Sequence, residues 1–188
     1  MAGESYAEMI QQMKEQGILF LENVTSDQLA LAEARYGLVF PEPLRRFYME
    51  GMPVSFGFVN WLEDSVEYVD MIKRRIDAPV KGVLLAVEME EIWPNSWGVR
   101  PAQEEMALAI AGKQLDQAAS LIPLYSHRYL VCSEQSEAAP VLSVYGGDII
   151  YYGSDLLNWL QVEFGGLSHK SIFQAPLPEI PGWQDLIG

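Results

Sequence analysis

The amino-acid sequence predicts an α+β fold, with a single, mostly antiparallel β-sheet flanked by N-terminal, inserted and C-terminal helices. Helical periodicity dominates the first part of the chain, whereas residues 121–153 contain runs of about five β-forming residues separated by Gly, Pro and Ser. Within that stretch, Gly146-Gly147 suits a two-residue hairpin turn, which needs residues that accept a positive φ. Helices followed by strands with interposed helices are typical of the α+β class.

The chain is predicted to form one domain over residues 1–188. It has 188 residues, of which 49% are hydrophobic and 11% aromatic, enough for a globular core that needs no disulfide or metal. Residues 1–17 are predicted to be an N-terminal helix. Residues 167–188 are predicted to be a proline-containing tail that packs on the domain, with Trp183 turned inward.

The first helix is predicted from the spacing of four apolar residues. Tyr6, Met9, Ile10 and Met13 occupy positions i, i+3, i+4 and i+7, which places them on one helical face. The segment that follows, residues 18–24, is apolar and is predicted to be extended.

Two further helices are predicted between residues 25 and 51. Thr25 and Gln28 form a capping-box pattern, and Gly37 is placed to end that helix in the left-handed conformation. Pro41 fits the cap or the first turn of the next helix, where no backbone donor is lost, and Gly51 follows its end. The apolar residues expected on the inner faces are Leu29, Ala32, Tyr36, Leu44, Phe47 and Tyr48.

The middle of the chain is predicted to contain a helix and then a strand. Residues 63–75 have helical periodicity, and residues 77–79, which include Pro79, are expected to end that helix. Residues 80–88 are predicted to be a strand, because apolar residues lie on both of its faces. The residues expected on one face of this strand are Val83, Leu85 and Val87.

The second half is predicted to alternate between helix and sheet. A helix is expected from Pro101 to about Ala119, and another over residues 155–164. The residues expected inside the first of these are Met106, Ala109, Ile110 and Leu115. The strands predicted between the two helices are Leu121–Tyr125, residues 128–132, Val141–Tyr145 and residues 148–152.

The charge balance is strongly acidic. Twelve Lys and Arg residues stand against 26 Asp and Glu residues, a formal net charge of −14. Such a charge repels nucleic-acid phosphates and anionic membrane surfaces and attracts basic proteins. Solubility is an equally weighted explanation of the same charge.

The remaining composition predicts a cytoplasmic protein. One cysteine excludes an internal disulfide and suits a reducing compartment. The first residues lack the basic and apolar regions of a secretory signal. The longest apolar runs are too short to cross a bilayer.

The residues available for catalysis are few. His127 and Cys132 are five positions apart, so on one strand they would face opposite sides, and the only other histidine is His169. Two distant histidines and one cysteine do not have the spacing of a zinc site. The glycine pairs lack the surrounding pattern of a phosphate-binding loop. No catalytic residues, metal or cofactor are therefore predicted.

Acidic clusters leave two interpretations open. Glu63, Glu67 and Asp70 have the spacing of one helical face, and further carboxylates follow residues 80–88. Paired carboxylates can serve a glycosidase or hold Mg²⁺. A solvated face, or a face that docks a cationic protein, is favoured over these chemistries because the spacing matches no metal-binding loop.

Two groups of short motifs resemble the SUKH superfamily, also called Smi/Knr-like proteins, over residues 18–164. The N-terminal motifs are Thr25, Glu33, Tyr36-Gly37, Phe40-Pro41, Leu44-Arg45 and Phe47. The later motifs, which resemble a bacterial branch, are Phe58-Val59-Asn60-Trp61, Ile92-Trp93, Trp97-Gly98, Leu121 to Tyr129, Pro140 to Tyr145 and Asp148 to Gly153. Gly146-Gly147 departs from that branch, where polar residues are more usual.

The resemblance implies an α+β domain that binds other proteins. Many bacterial members are immunity proteins, which neutralise polymorphic toxins that are often nucleases. We therefore predict an intracellular immunity protein that binds a basic toxin by protein–protein contact and binds no nucleic acid or membrane. The residues predicted to meet this partner are Trp61, Glu63, Glu67, Glu88, Trp97, His127, Arg128, Tyr129, Asp148 and Tyr151.

Two alternatives belong to other functional classes. The first is a small-molecule-binding domain or hydrolase with a pocket around His127 and Arg128, where those two side chains would converge. The residues predicted to line that pocket are Trp61, Trp97, His127, Arg128 and Tyr151. The second is a regulatory scaffold that has partners but no toxin.

Overall fold

The structure, a computed structural model, describes residues 5–132 and 139–188. The α-helices in these ranges are α1 (Tyr6–Glu15), α2 (Ser26–Tyr36), α3 (Glu42–Glu50), α4 (Val66–Glu88), α5 (Glu104–Leu115) and α6 (Leu156–Glu163). The strands are β1 (Phe20–Leu21), β2 (Met52–Pro53), β3 (Leu121–Tyr125), β4 (Arg128–Val131), β5 (Val141–Tyr145) and β6 (Asp148–Gly153). Short 3₁₀ turns occupy Asn95–Trp97, His169–Gln174 and Gln184–Leu186.

The main sheet has four antiparallel strands in the order β3-β4-β5-β6. Tyr145 pairs with Asp148, so Gly146-Gly147 forms the predicted two-residue turn, and Gly146 has a φ of 61°. Strands β1 and β2 form a second, two-stranded sheet that the sequence patterns did not predict. The α+β class and the four-stranded antiparallel sheet are confirmed.

Local capping signals define the first two helices, and the one at Thr25 was predicted. Ser5 begins α1, and Thr25 begins α2, each with a reciprocal capping box to the residue three positions on. Gly37 ends α2 with a φ of 65°, in the left-handed region that favours glycine. Pro41 immediately precedes α3.

The sheet is covered on both faces by separate hydrophobic cores. One core joins α1, α2, α3 and α6 to strand residues such as Ile122 and Leu130. The other joins α4, α5 and residues 172–186 to neighbouring strand residues such as Leu121 and Val131. Adjacent residues of one strand therefore enter different cores. This double burial explains why β3 and β4 are apolar almost throughout instead of alternating.

Residues 80–88 are helical, so the predicted strand is wrong. They form the second half of α4, which runs without interruption through Pro79. The buried residues of α4 are Ile72, Pro79, Val83, Ala86 and Val87, which follow a helical period. Leu85, predicted to share a strand face with Val83 and Val87, is 54% exposed.

The proline is accommodated inside α4 by a tyrosine from the sheet. Pro79 has no N–H, so the carbonyl of Arg75, four residues earlier, lacks its usual helical partner. The hydroxyl of Tyr129 on β4 donates a hydrogen bond to that carbonyl over 3.2 Å. Burial raises the pKa of Tyr129, which keeps the hydroxyl protonated as a donor. The Arg75 side chain donates to the carbonyl of Ser126, 2.8 Å away, so this turn of α4 is joined to the sheet twice.

The β5–β6 turn rests directly on α4. A Cβ atom at Gly82 would lie 3.0 Å from the Cα atom of Gly146, and one at Gly147 would lie 2.9 Å from the Cβ atom of Ala86. Both distances are too short for an ordinary side-chain contact. Gly82 and Gly147 are therefore needed for this close packing, whereas Gly146, with its positive φ, is needed for the turn.

Helix α5 is shorter than the helix predicted from Pro101 to about Ala119, and it buries a different set of residues. Ala107, Ala111 and Leu115 are buried, whereas Met106 and Ala109, which were predicted to be inside, are exposed. The inward residues lie four positions apart, so the apolar stripe is narrow. Small alanines on this face let α5 approach α4 closely.

Residues 167–188 pack against the second core. The hydroxyl of Tyr151 donates to the carbonyl of Pro178 over 2.8 Å. The indole N–H of Trp183 donates to the carbonyl of Ala119 over 2.7 Å, and the ring is buried. Across the residues that the structure describes, no helix is long and apolar enough to cross a membrane.

Tyr129→Phe is expected to destabilise the protein by about 1–3 kcal/mol, because it leaves the partly buried Arg75 carbonyl without a donor. In a Pro79→Ala background residue 79 regains an N–H, so the same substitution should cost clearly less. Urea unfolding of the two single variants and the double variant measures this coupling. Tyr145→Phe, at an exposed tyrosine, is the control and should change stability by less than about 0.5 kcal/mol. Equal costs of Tyr129→Phe in both backgrounds would contradict the assignment.

Gly82→Ala and Gly112→Ala are expected to have opposite effects although both glycines lie inside helices. Alanine normally favours a helix over glycine by about 1 kcal/mol, and a Cβ atom at Gly112 meets nothing within 4 Å. At Gly82 the added atom presses on the backbone of Gly146, so stability should fall. Thermal or urea unfolding tests the pair, and a similar gain from both would show that the turn does not constrain α4.

Candidate functional site

Trp61 lies inside the first core, away from the surface where a partner would bind. Its indole N–H donates to the hydroxyl of Tyr48 over 3.0 Å. The rings of Tyr36 and Phe40 meet it edge-on, with centroids 5.3 and 5.0 Å away. Its side chain is fully buried, so its contacts are those of a core residue.

Arg128 is buried at the start of β4 and holds α6 against the sheet. Its Nε atom donates to Glu163 over 3.0 Å, and one terminal nitrogen donates to the Ser143 hydroxyl over the same distance. Its guanidinium lies 3.5 Å from the centre of the Tyr152 ring, within cation–π range. These three contacts use the charged group internally.

Tyr129 and Tyr151 are also buried and have internal partners. Tyr129 donates to the Arg75 carbonyl, and Tyr151 donates to the carbonyl of Pro178. Four of the ten residues predicted to meet a partner, namely Trp61, Arg128, Tyr129 and Tyr151, are therefore integral to the fold.

Glu63 lies in the loop before α4, so the predicted helical face shared by Glu63, Glu67 and Asp70 is wrong. Its carboxylate accepts a hydrogen bond from the backbone N–H of Ser65 over 3.1 Å. Hydrogen bonds from Ser65 lower the pKa of Glu63. Glu67 and Asp70, by contrast, are both on α4 and are exposed.

Trp97 belongs to a small aromatic pair in the connection between α4 and α5. Its ring meets Trp93 edge-on at 5.4 Å, and the indole N–H of Trp93 donates to the carbonyl of Gly98 over 2.8 Å. Both rings are half-buried against the second core. Trp97 therefore packs against a different core from Trp61.

His127 lies in the two-residue turn between β3 and β4. Its Nδ1 atom is 3.1 Å from the hydroxyl of Ser126, and its ring meets that of Tyr145 at 6.1 Å. Burial, and then the neighbouring charge of Arg128, lower the pKa of His127 below its usual value of 6.5. The imidazole is therefore neutral near pH 7.

The residues predicted to line a small-molecule pocket do not surround a common cavity. Arg128 points into the packed face of α6, whereas His127 lies in a turn beside Tyr145. A groove of about 510 Å³ lies elsewhere, between the end of α2, the middle of α4 and Trp183. A second groove of about 550 Å³ adjoins the α2–α3 connection. None of the five predicted pocket residues lines either groove.

His127 and Cys132 flank opposite ends of β4, which separates them. The thiol of Cys132 donates to the carbonyl of Val39 over 3.3 Å. Within residues 5–132 and 139–188, no cluster of three His, Cys, Asp or Glu side chains has the arrangement of a metal site.

The predicted residues Glu67, Glu88 and Asp148 are exposed, the first two on α4 and the third at the start of β6. Large apolar side chains are also exposed in this part of the fold, namely Met71 and Leu85 on α4, Met89 directly after it, and Tyr145 at the end of β5. The sequence patterns missed Leu85 and Met89, because residues 80–88 were predicted to be a strand. The signal that identifies them is a 4-3-4-3-4 spacing along one helix, through Met71, Arg75, Ala78, Gly82, Leu85 and Met89.

Comparisons of the chain with protein-family models, curated proteins and solved structures found no match to any of the three. The resemblance in short motifs therefore stays a prediction.

NMR titration of the His127 ring is expected to give a pKa below 6.5, because burial and the Arg128 charge both disfavour the imidazolium ion. The signal is assigned with His127→Gln, which removes it. A midpoint at or above 6.5 would contradict the environment described for this turn.

Proposed function

We propose that this protein is an immunity protein that neutralises a basic toxin domain by direct contact, without chemistry of its own. The observation that carries this proposal is the distribution of charge. Acidic residues outnumber basic ones by 26 to 12, and half of the basic residues form ion pairs with the protein's own carboxylates. A basic partner is the class of macromolecule that such a surface attracts.

Ion pairs use a large part of the positive charge. In the described ranges, the pairs are Lys14–Glu22, Arg35–Asp64, Arg45–Glu33, Lys81–Asp77, Arg100–Glu90 and Arg128–Glu163. These pairs use half of the 12 basic residues but fewer than a quarter of the 26 acidic ones. The residues that remain are more strongly acidic in proportion than the whole chain.

Basic side chains are further engaged by backbone carbonyls. Arg75 donates to Ser126, Arg74 to Asp70, and Arg100 to Val87. These contacts place the guanidinium groups against the protein's own backbone. The net charge of −14 makes the outward field negative, and such a field accelerates encounters with basic proteins and competes with nucleic acid for a basic active site.

The buried side chains that could take part in catalysis or ligand binding have structural roles instead. Arg128, Tyr129 and Tyr151 hold helices and the Pro178 segment against the sheet. The Cys132 thiol donates a hydrogen bond to the carbonyl of Val39. These placements favour a protein that acts by binding.

Co-expression tests the proposal directly. The toxin is expected to be the basic C-terminal domain encoded by the gene immediately upstream. Expression of that domain alone should arrest growth, co-expression with this protein should restore it, and the two should co-elute in size-exclusion chromatography. Raising the salt concentration from about 0.1 to 0.5 M should weaken the complex, because salt screens surface charge. Absence of a basic domain there, or arrest that persists without a complex, would refute the proposal.

A further inference from the structure

We propose that the basic partner docks on the surface formed by the end of α4, the start of α5 and the connection between these helices. The partner segment that fits this surface has apolar side chains flanked by Lys or Arg. We call the surface the α4–α5 tip, and its apolar members are Met89, Trp93, Trp97, Val99 and Met106. This inference rests on the proposed function, since it assigns a surface to the same partner.

The apolar side chains of the tip are open to solvent. Met89, Val99 and Met106 are 59%, 94% and 53% exposed. Trp93 and Trp97 are half-buried and meet edge-on, with ring centroids 5.4 Å apart. Tryptophans are enriched among the residues that carry most of the binding energy in protein interfaces, and exposed apolar groups close to one another mark such surfaces.

Contacts within the connection hold these side chains together. The indole N–H of Trp93 donates to the carbonyl of Gly98 over 2.8 Å. Arg100 donates to the carbonyl of Val87 over 3.2 Å. The residues on both sides of Val99 are thus fixed, one to the aromatic pair and the other to the last turn of α4.

The start of α5 lies at the same end of the helix pair. Helix α5 packs against α4, and Val87 near the end of α4 shares the second core with Ala107 near the start of α5. The 3₁₀ turn that contains Trp97 also contacts α5. Met106 directly precedes Ala107 and is exposed, so it extends the apolar surface onto α5.

The charges of the tip are almost all negative. Residues 88–106 contain five glutamates and one basic residue, Arg100, so their formal charge is −4. The Arg100 guanidinium is turned toward the protein, because it donates to the carbonyl of Val87 and pairs with Glu90. The glutamates, all of them exposed, are Glu88, Glu90, Glu91, Glu104 and Glu105.

The other basic residues of the two helices lie outside the tip. Lys81 on α4 is seven residues before Glu88, a distance of about 10 Å along the helix, and it pairs with Asp77. Lys113 on α5 is eight residues after Glu105, a distance of about 12 Å. Both distances exceed the screening length of about 8 Å at physiological salt, so these lysines neutralise little of the charge at the tip.

The end of α4 itself favours a cationic partner. Backbone carbonyls at a helix C-terminus carry partial negative charge, which basic residues usually offset. The last turn of α4, which the structure describes throughout, has no basic residue, and Glu88, Glu90 and Glu91 lie at this end. Glu90 has a φ of 60°, at a position after the helix where glycine is the usual residue. Carboxylates here weaken the free helix end, and a Lys or Arg side chain of a partner would reverse that effect.

A metal ion and a second copy of the chain are poorer occupants. Over residues 5–132 and 139–188, no three His, Cys, Asp or Glu side chains are grouped so that they could hold a metal ion. A second copy would bring a tip of the same negative charge against the first, so the two would repel one another. A protein segment with both apolar and cationic side chains complements both components of the tip.

The first test measures binding of the upstream-encoded basic domain, used as the probe, by isothermal titration calorimetry. The charge variant combines Glu91→Lys with Glu105→Lys. The control combines Glu15→Lys with Glu50→Lys, which changes the net charge equally at the exposed last residues of α1 and α3. We expect the charge variant to weaken Kd at least about tenfold and the control to weaken it less than about threefold.

A second pair of variants tests the apolar members of the tip. Met89→Ser combined with Val99→Ser should weaken Kd at least about fivefold. The control combines Leu19→Ser with Leu31→Ser, whose side chains are 68% and 67% exposed on other elements, and it should change Kd less than about twofold. Circular dichroism and thermal unfolding establish that all four variants are folded.

Tryptophan signals report where the partner binds. Three of the five tryptophans, Trp61, Trp159 and Trp183, are buried, whereas Trp93 and Trp97 belong to the tip. Protein labelled with 5-fluorotryptophan gives one ¹⁹F NMR signal for each ring, and single Trp→Phe variants assign them. The unlabelled basic domain should shift the signals of Trp93 and Trp97 and leave the other three in place.

The outcomes separate the two proposals. If the unmodified protein does not bind the basic domain, the proposed function fails and this inference fails with it. If it binds, but the tip variants bind as tightly as their controls and the Trp93 and Trp97 signals do not move, the proposed function stands and the α4–α5 tip is overturned. A dimer in sedimentation that Met89→Ser with Val99→Ser abolishes would also overturn this inference, because a second copy would then occupy the tip.

Discussion

The hydrogen bond from Tyr129 to the carbonyl of Arg75 is the contact on which the architecture depends most. A proline inside a helix costs about 3 kcal/mol, partly because one carbonyl loses its donor. The sheet supplies that donor, so α4 continues across Pro79. If α4 ended there, its second half would not reach α5 or support the β5–β6 turn. One contact between distant parts of the chain thus offsets part of the cost of a proline in the helix that organises the second core.

Close packing between backbone segments follows from this continuous helix. Gly82 packs against Gly146, and Gly147 packs against Ala86. Neither Gly82 nor Gly147 has room for a Cβ atom. The β5–β6 turn contacts α4 only near Gly82 and Ala86. Leu85 and Met89 lie beyond this contact and face solvent. Packing inside the domain and exposure on its surface therefore have a common cause.

The sequence predicted the elements that depend on neighbouring residues. The capping box at Thr25, the left-handed Gly37 and the Gly146 turn are local signals, and each has the expected geometry. The continuation of α4 through Pro79 was not predictable from neighbouring residues. The hydroxyl that replaces the missing N–H donor belongs to Tyr129, about fifty positions later in the chain.

The candidate site shows the same division. Composition predicted the acidic surface, since net charge needs no structure. Composition could not show that Trp61 and Arg128 are buried, because the apolar or charged character of a residue does not determine whether it lies in a core. Leu85 illustrates the reverse error, since the strand period placed it on one face with Val83 and Val87, which are buried while Leu85 is exposed.

The two cores have different requirements during synthesis on the ribosome. The residues of the first core end with α6, so this half of the molecule can close as soon as that helix has emerged. The second core also requires Ile180, Trp183 and Leu186, and until these have emerged one face of the sheet stays uncovered. A nascent chain paused before Trp183 would expose that apolar face to chaperones, so the late residues set the moment at which the chain becomes safe from aggregation.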